Sequence, residues 1–489
     1  MTTLLQTDAY KFSMAQSGFP LREETFYLSF RKGGWQYVPF DLVQEVRAML
    51  QTALPDAGRA YLAEVGYGIS GGMEAACDDG RVRVRAVPQD SWVYEREPIL
   101  SVTAASFMAS WLEPTLLRLS FPIQLATQIR RSGHKIDPTM LHATCEAQAA
   151  IMRKVIHAVG QDESSLLAMI VVAEGEYRER VGEEADRLIE ITKDPGRIFE
   201  VGMRAATCED QHRLCLEVLR EKGIYSTSNV SLARALDMRA VGTMGHEHVQ
   251  RWGDDLQAFR AMRDMRQGTP SYLLDTFDTI VSGVPAAITA AKEREHAFCI
   301  RYDSGDKYAQ YLYAHGAFGR EGLAPVHIIE DGLDAETTAR FEALREFTGL
   351  EPERQVYGYG GYLVSRSWRN PLTRDAVAAV YKLSSTSGAP RMKFGNEGGL
   401  GKVSIPGEPV AWRRLRGDGP LSVIGQHGET PPEDYVVLSA NDEAAEQLRI
   451  CNVDAAIDRN PAVPHTLSPQ TTSLVHQLRS EHEPCQSYQ

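Results

Sequence analysis

From about residue 198 onward, short runs of β-branched and aromatic residues alternate with amphipathic stretches, and this alternation limits the folds open to the chain. The runs are IFEVGM (198–203), IYSTSNV (224–230), RAVGTM (239–244), SYLLDTF (271–277), FCIRYD (298–303), VHIIE (326–330), QVYGYG (355–360) and AVAAVYKL (376–383). Helical spacing fills the intervals, as in Val249, Trp252, Leu256, Phe259 and Met262, or in ETTARFEALREF (336–347). Strand and helix in strict alternation with short connections imply parallel pairing, and eight such units fit a β/α barrel better than a doubly wound open sheet.

Ahead of these units, ETFYLSFRKGG (24–34) and RVRVRAVPQDSWVYEREPIL (81–100) alternate as antiparallel strands with one wet face, and a helix is predicted at about 104–131. Residues 135–197 read as helical and charged, residues after 400 as irregular, and the last 25 as loosely ordered. The expected class is α/β: an irregular β/α barrel with a second, β-rich α+β domain built from the two terminal segments. The corresponding bounds are 1–130 for the N-terminal α+β domain, 131–197 for a helical insertion, 198–400 for the barrel and 401–489 for the C-terminal segment completing the N-terminal domain.

Composition narrows the function classes. With 52 Lys and Arg against 65 Asp and Glu, the net charge is −13, which disfavours nucleic acid or an anionic membrane as partner. A local phosphate site remains compatible with it, because such a site needs only a few amides and cations. Seven scattered cysteines without a CxxC pair read as reduced thiols of a cytoplasmic protein. The start MTTLLQTDAY lacks the pattern of a signal peptide, and LLAMIVVA (166–173) is far shorter than a membrane helix.

The polar and glycine-rich clusters fall where the runs end, which in a β/α barrel is the active-site face. GTMGHEHVQRWGD (242–254) places His246 and His248 around Glu247. A metal pair would need further ligands, no Cys lies near, and HEHVQ is not HExxH. A polar helix start and a histidine facing a phosphoryl group at a helix amino end both remain open. DTFDT (275–279) and DSGD (303–306) each offer two carboxylates, which singly could be solvated turns and together suggest Mg2+ held with a phosphorylated ligand. GYGGY (358–362) and EDGLD (330–334) could present backbone amides to phosphate, through Gly360, Gly361 and Gly332, with Asp331 toward sugar hydroxyls; plain loops account for both equally well. No GxSxG, Walker or kinase motif is present.

Taken in order, TDAYKFSM (7–14), STSNVSLA (226–233), GTMGHE (242–247), DTFDT (275–279), IRYDSGD (300–306) and VYKL (380–383) resemble the nicotinate phosphoribosyltransferase family. The resemblance implies a type II phosphoribosyltransferase acting as a homodimer with shared active sites. It would join nicotinate to 5-phosphoribosyl 1-diphosphate with ATP hydrolysis coupled through a phosphohistidine, using Mg2+ and no tightly bound structural metal.

Carried onto this chain, the resemblance makes His246 the phosphorylated histidine and His248 a bystander. It puts Thr243 against nicotinate, Tyr10 on the pyridine ring from across the dimer interface, and Arg301 on the nicotinate carboxylate, where a planar guanidinium suits the anion. Asp303 with Asp275 or Asp278 would organise ribose, diphosphate and Mg2+, and Gly360 and Gly361 the 5-phosphate. The chain also departs from the family pattern: EVGMRA has Val201 where a second ring-stacking aromatic is usual, and only Arg204 of an arginine pair, with Ala205 after it. Gly361 resembles the nicotinamide-using relatives, whereas Ser228 replaces the aspartate those relatives place toward the amide. That serine favours the acid, with nicotinamide phosphoribosyltransferase as the alternative and a non-catalytic NAD-precursor-binding protein as the alternative of another class.

Overall fold

The computed structural model describes residues 2–132, 135–160, 163–366, 368–394, 403–415, 419–438 and 466–482. Its elements, in chain order, begin with helix α1 (Ala9–Gln16) and strands β1 (Glu23–Phe30), β2 (Arg83–Ala86) and β3 (Leu100–Ala105). Then come β4 (Ile198–Glu200), β5 (Ser226–Thr227), β6 (Arg239–Ala240), helix α2 (His246–Trp252), β7 (Ser271–Leu273), β8 (Cys299–Tyr302), β9 (Val326–Ile329), β10 (Gln355–Tyr359) and β11 (Ala379–Thr386).

Strands β4 to β10 form one parallel sheet in the order β6-β5-β4-β10-β9-β8-β7. Each falls within one of the first seven predicted runs. Sequential neighbours pair except β6 with β7, so the sheet curls as a barrel would and leaves one seam without a ladder. The architecture is thus mixed α/β, a curled parallel sheet beside a separate β-rich region.

The eighth predicted strand is displaced from this sheet. Residues 379–386 are extended, but they pair antiparallel with β1, which in turn pairs with β3 and β3 with β2. A parallel return usually needs a helical crossover. Between β10 and β11 the described residues offer only the single turn Tyr362–Arg366 and the four-residue helix Arg374–Val377. The free edge of β1 is the available partner, and seven register pairs join it to β11.

The N-terminal segment lies across the open seam. Asp8 bridges Asn229, the Ala9 amide donates to the Ser228 carbonyl at 2.8 Å, and the Val230 amide to the Thr7 carbonyl at 3.2 Å. Gly242 follows β6 at this crossing, and a Cβ there would collide with the Tyr10 and Ala9 backbone. Only glycine permits so close an approach.

One apolar core joins both sheets through residues such as Phe12, Phe26, Trp111, Leu216, Tyr272 and Tyr357. Helices Ser120–Ser132 and Glu146–Val159 contribute to a second core around Trp35, Tyr37 and Trp92. Helix Glu174–Thr192, in the segment read as an insertion, buries Tyr177, Val181 and Leu188 in the first core. Toward the C terminus, Arg413 reaches back to Glu97 at 2.7 Å, both fully buried. No helix among the described residues is long and apolar enough to cross a membrane.

Candidate active site

The acidic clusters at three successive strand ends divide their labour in the same way. After β7, Asp275 is 1 % exposed and faces inward, whereas Asp278 accepts from the amides of Ile280 and Val281 and caps the next turn. After β8, Asp303 faces inward, whereas Asp306 caps helix Lys307–Arg320 through the amides of Tyr308 and Ala309. After β9, Glu330 faces inward, and Asp334 caps helix Ala335–Thr348 through the amide of Thr337. A carboxylate that satisfies orphan amides at a helix start is committed to folding. The structure therefore brings Asp275 and Asp303 into the site and leaves Asp278 outside it.

His246 opens α2, which is anchored at its other end by a buried ion pair of Arg251 with Glu24 at 2.7 Å. Its Nδ1 lies 3.1 Å from Thr276 Oγ1, its Nε2 3.3 Å from Asp303 Oδ2 and 4.0 Å from Asp275 Oδ2. The Lys393 ammonium donates to Nε2 at 2.6 Å and stands 3.6 Å from Asp275. Burial and then the Lys393 charge press the imidazole pKa down to about 4, so the ring is neutral near pH 7. Asp303, despite burial that alone would raise it, is held well below the usual carboxylate range by His246, Arg301 and Lys393.

His248 lies elsewhere: it is fully buried, its Nε2 donates to the Ala258 carbonyl at 3.1 Å, and burial lowers its pKa to about 3. It ties α2 to helix Asp255–Met265, so the two histidines are not a metal pair. A different group, His246, Asp275 and Asp303, presents one donor atom each within 4.8 Å of one another. Asp275 Oδ1 is buried without a hydrogen-bond partner. Two carboxylates with an unfilled lone pair suit Mg2+ completed by phosphate oxygens and water, and Lys393 supplies the cation at that position here.

Beside this cluster opens a cavity of about 680 Å³ inside the curled sheet, lined by Tyr10, Arg204, Ser228, Thr243, His246, Arg301 and Asp303 among others. Seven of the sequence-predicted residues thus share one space. Arg301 donates to Thr243 Oγ1 and sits 3.5 Å from both Asp303 and Glu330, with its buried Nε unpartnered. Arg204 lies 5.7 Å above the Tyr10 ring and 3.6 Å from Glu113. Tyr10 Oη donates to Glu113 at 2.6 Å, and Lys11 joins Glu113 to Glu247 at 2.6 and 3.0 Å. Tyr10 lines the cavity of its own chain, held there by the N-terminal segment, whose Ala9 amide donates to the Ser228 carbonyl.

Several residues of this site had no reading in the sequence. Ser228 Oγ donates to Asp8 Oδ1 at 2.6 Å, while Asp8 Oδ2 is buried and unpartnered, and burial raises this carboxyl's pKa. Lys382 also faces the cavity, and burial, partly offset by Glu113, lowers its ammonium pKa to about 7. Asp8 and Lys382 lie within TDAY and VYKL, so a signal was at hand. Glu113 and Lys393 sit in EPTLL and RMKFG, where nothing local marks them. Phe199 also lines the cavity, two residues before Val201 on the same face of β4, and is an aromatic the sequence reading did not consider.

The proposed phosphate loops lie at the margin. Asp331 and Gly332 are exposed, both at positive φ (61° and 65°), and Lys307 donates to the Asp331 carbonyl. Gly360 and Gly361 lead into the turn Tyr362–Arg366; a Cβ on Gly361 would collide with the Asp375 carboxylate. None of these four lines the cavity, nor does Asp278.

The description "Nicotinate phosphoribosyltransferase (NAPRTase) family" fits residues 197–403. A nicotinate phosphoribosyltransferase of Mycobacterium tuberculosis is 29% identical over 289 residues, 56% of this chain and 57% of the relative, so the match spans little more than half of that relative's length. One of Bacillus subtilis is 26% identical over 454 residues, 89% of this chain and 76% of the relative. Among solved structures, nicotinate phosphoribosyltransferase of Porphyromonas gingivalis shares the fold at TM-score 0.58 and 16% identity, covering 83% of this chain and 96% of that one. That of Vibrio cholerae shares it at 0.56 and 17%, covering 81% and 88%. The barrel strands with their inward acids, His246 and Arg301 all lie inside the segment that is similar to the nicotinate phosphoribosyltransferase family.

Proposed function

We propose that the protein is a nicotinate phosphoribosyltransferase, transferring the 5-phosphoribosyl group of 5-phosphoribosyl 1-diphosphate to the pyridine nitrogen of nicotinate and releasing diphosphate. The observation carrying this reading is that the Arg204 and Arg301 guanidiniums line the same cavity as His246 and Asp303. The two guanidiniums and the Tyr10 ring suit an aromatic acid, and Asp303 beside the His246–Lys393 pair suits sugar and diphosphate.

Loss of diphosphate leaves a cation-like ribose, so the residues must neutralise the leaving group and hold the base in line with C1. Lys382, which lines the cavity, and Lys393, beside His246, would meet phosphate oxygens. Ionised Asp303 suits ribose hydroxyls and the developing positive charge, and stacking on Tyr10 orients the pyridine. Mg2+ would be held by Asp275 and Asp303, where it would neutralise diphosphate charge. No general acid or base acting on the pyridine is required.

ATP coupling fits the state of His246. A neutral imidazole whose Nδ1 proton is directed at Thr276 presents the Nε2 lone pair, the nitrogen that would accept the γ-phosphoryl group. The ammonium of Lys393 already points at that nitrogen and would pair with the phosphoryl oxygens once the group is attached.

Nicotinamide is the second reading, and Asp8 favours it. Ser228 was expected to leave the base pocket without an acceptor for an amide, yet its hydroxyl presents the Asp8 carboxyl there. Two facing guanidiniums and a carboxyl whose pKa burial raises still suit the acid better. Turnover with each base and 5-phosphoribosyl 1-diphosphate tests both, with nicotinate mononucleotide the expected product and no product from either base refuting transfer. The His246→Ala variant should lose incorporation of labelled γ-phosphate while retaining ATP-independent transfer; retained labelling would remove His246 from the role.

A further inference from the structure

Two segments 63 positions apart repeat one local design. Ala143-Thr144-Cys145-Glu146-Ala147-Gln148 and Ala206-Thr207-Cys208-Glu209-Asp210-Gln211 each place a cysteine as the cap of a long helix, Glu146–Val159 and Glu209–Glu221. Both cysteines are extended, at φ −159° and −155°. In both, the preceding threonine is clamped by the glutamine four residues on: Thr144 Oγ1 to Gln148 at 2.8 Å and Thr207 Oγ1 to Gln211 at 2.8 Å. The two helix starts meet head to head, with the sulfurs 3.7 Å apart.

We propose that Cys145 and Cys208 are a reversible thiol pair, converted by a hydroperoxide to a disulfide that staples the helical segment 142–192 to the first helix of the barrel. The two sulfurs already lie 3.7 Å apart, so a bond of roughly 2.05 Å needs only a short further approach. Cys208 is half-buried and gives a small oxidant access, while Cys145 is 5 % exposed. Hydrogen bonding from the Cys208 thiol, with a helix start behind it, draws Cys145 down to about 7 and raises Cys208, which marks Cys145 as the attacking thiolate.

The chemistry balances. The Cys145 sulfur attacks one peroxide oxygen, the O–O bond breaks, and the leaving oxygen departs as water with a proton, leaving a sulfenic acid. Cys208 sulfur then attacks the sulfenic sulfur, its proton and the hydroxyl leave as a second water, and the S–S bond forms. The two thiols lose two electrons to the peroxide. The bond would fix the turn that carries Arg204, because Arg118 links the Met203 carbonyl at 3.3 Å to Glu209 at 2.9 Å beside Cys208.

The test reads the bond itself and is separate from turnover. Folded, fully reduced protein is exposed to hydrogen peroxide, alkylated and digested, and linked peptides are identified by mass spectrometry. A Cys145–Cys208 peptide that dithiothreitol releases, with a raised Tm of the oxidised chain, is expected. Cys145→Ser and Cys208→Ser, which keep a good helix cap, should each abolish the link. Over-oxidation of either thiol without a link, a link from Cys208 to Cys215 instead, or no oxidation of the pair overturns the proposal.

Discussion

Replacing Lys393 by methionine tests whether the lysine sets the state of His246. The ammonium lies 2.6 Å from Nε2, and screening as strong as bulk water leaves about 1.6 kcal/mol of repulsion toward a protonated ring. Weaker screening in the buried site makes this a floor, equivalent to a rise of at least about one pKa unit from a starting value of about 4. The departing charge also strands Asp275, 3.6 Å away, and protonation of His246 would restore its cation. The imidazole resonance of His246, assigned with His246→Gln, is followed through a pH titration. A midpoint unchanged or lowered in Lys393→Met would refute the reasoning.

A stability consequence follows with a defined sign. In the folded chain His246 titrates near 4, below its unfolded value of 6.5, so between these values the unfolded chain binds the extra proton. Stability from this group is fully present above 6.5 and falls as pH drops toward 4, by up to about 3 kcal/mol in all. In Lys393→Met the whole fall should be smaller by at least about 1.6 kcal/mol, of which at least roughly 0.5 kcal/mol lies between pH 7 and pH 5. Asp303 stays ionised across this window and His248 contributes equally to both proteins, so the difference in urea midpoints between pH 7 and pH 5 isolates the effect.

Two further substitutions separate architecture from chemistry. Glu113→Gln leaves the buried Lys11 ammonium paired with Glu247, and denaturant unfolding should show a loss of about 3 kcal/mol; unchanged stability would show that the Lys11–Glu113 pair is not coupled to folding. Asp278→Ala should cost about 1 kcal/mol of stability through the lost cap while transfer activity persists, whereas Asp275→Asn should suppress activity. The reverse pattern would exchange the assignments of these two acids.

Local pattern was sufficient for much of the barrel and part of the site. Runs such as FCIRYD and VHIIE are short, β-branched and closed by turns, so they read as buried parallel strands before any contact is known. Because active-site loops follow such strands, His246 and Asp303 could be picked out from local pattern, whereas Arg301, inside β8, was singled out only by the family resemblance. The acid doublets were legible as doublets. Which member of each serves the site was not, because capping depends on where the next helix starts.

The tertiary structure decided what depends on distant partners. Lys393 reaches His246 from 147 residues away, and Glu113 receives Tyr10 from 103 residues away. A charge's role is set by which opposite charge packing brings within a few ångströms, and no local spacing encodes that. The run at 376–383 carries a strand signal whatever its sheet; the missing crossover helix and the free edge of β1 sent it to the antiparallel one. Likewise, seven scattered cysteines read as unrelated thiols until two helix starts brought Cys145 and Cys208 face to face.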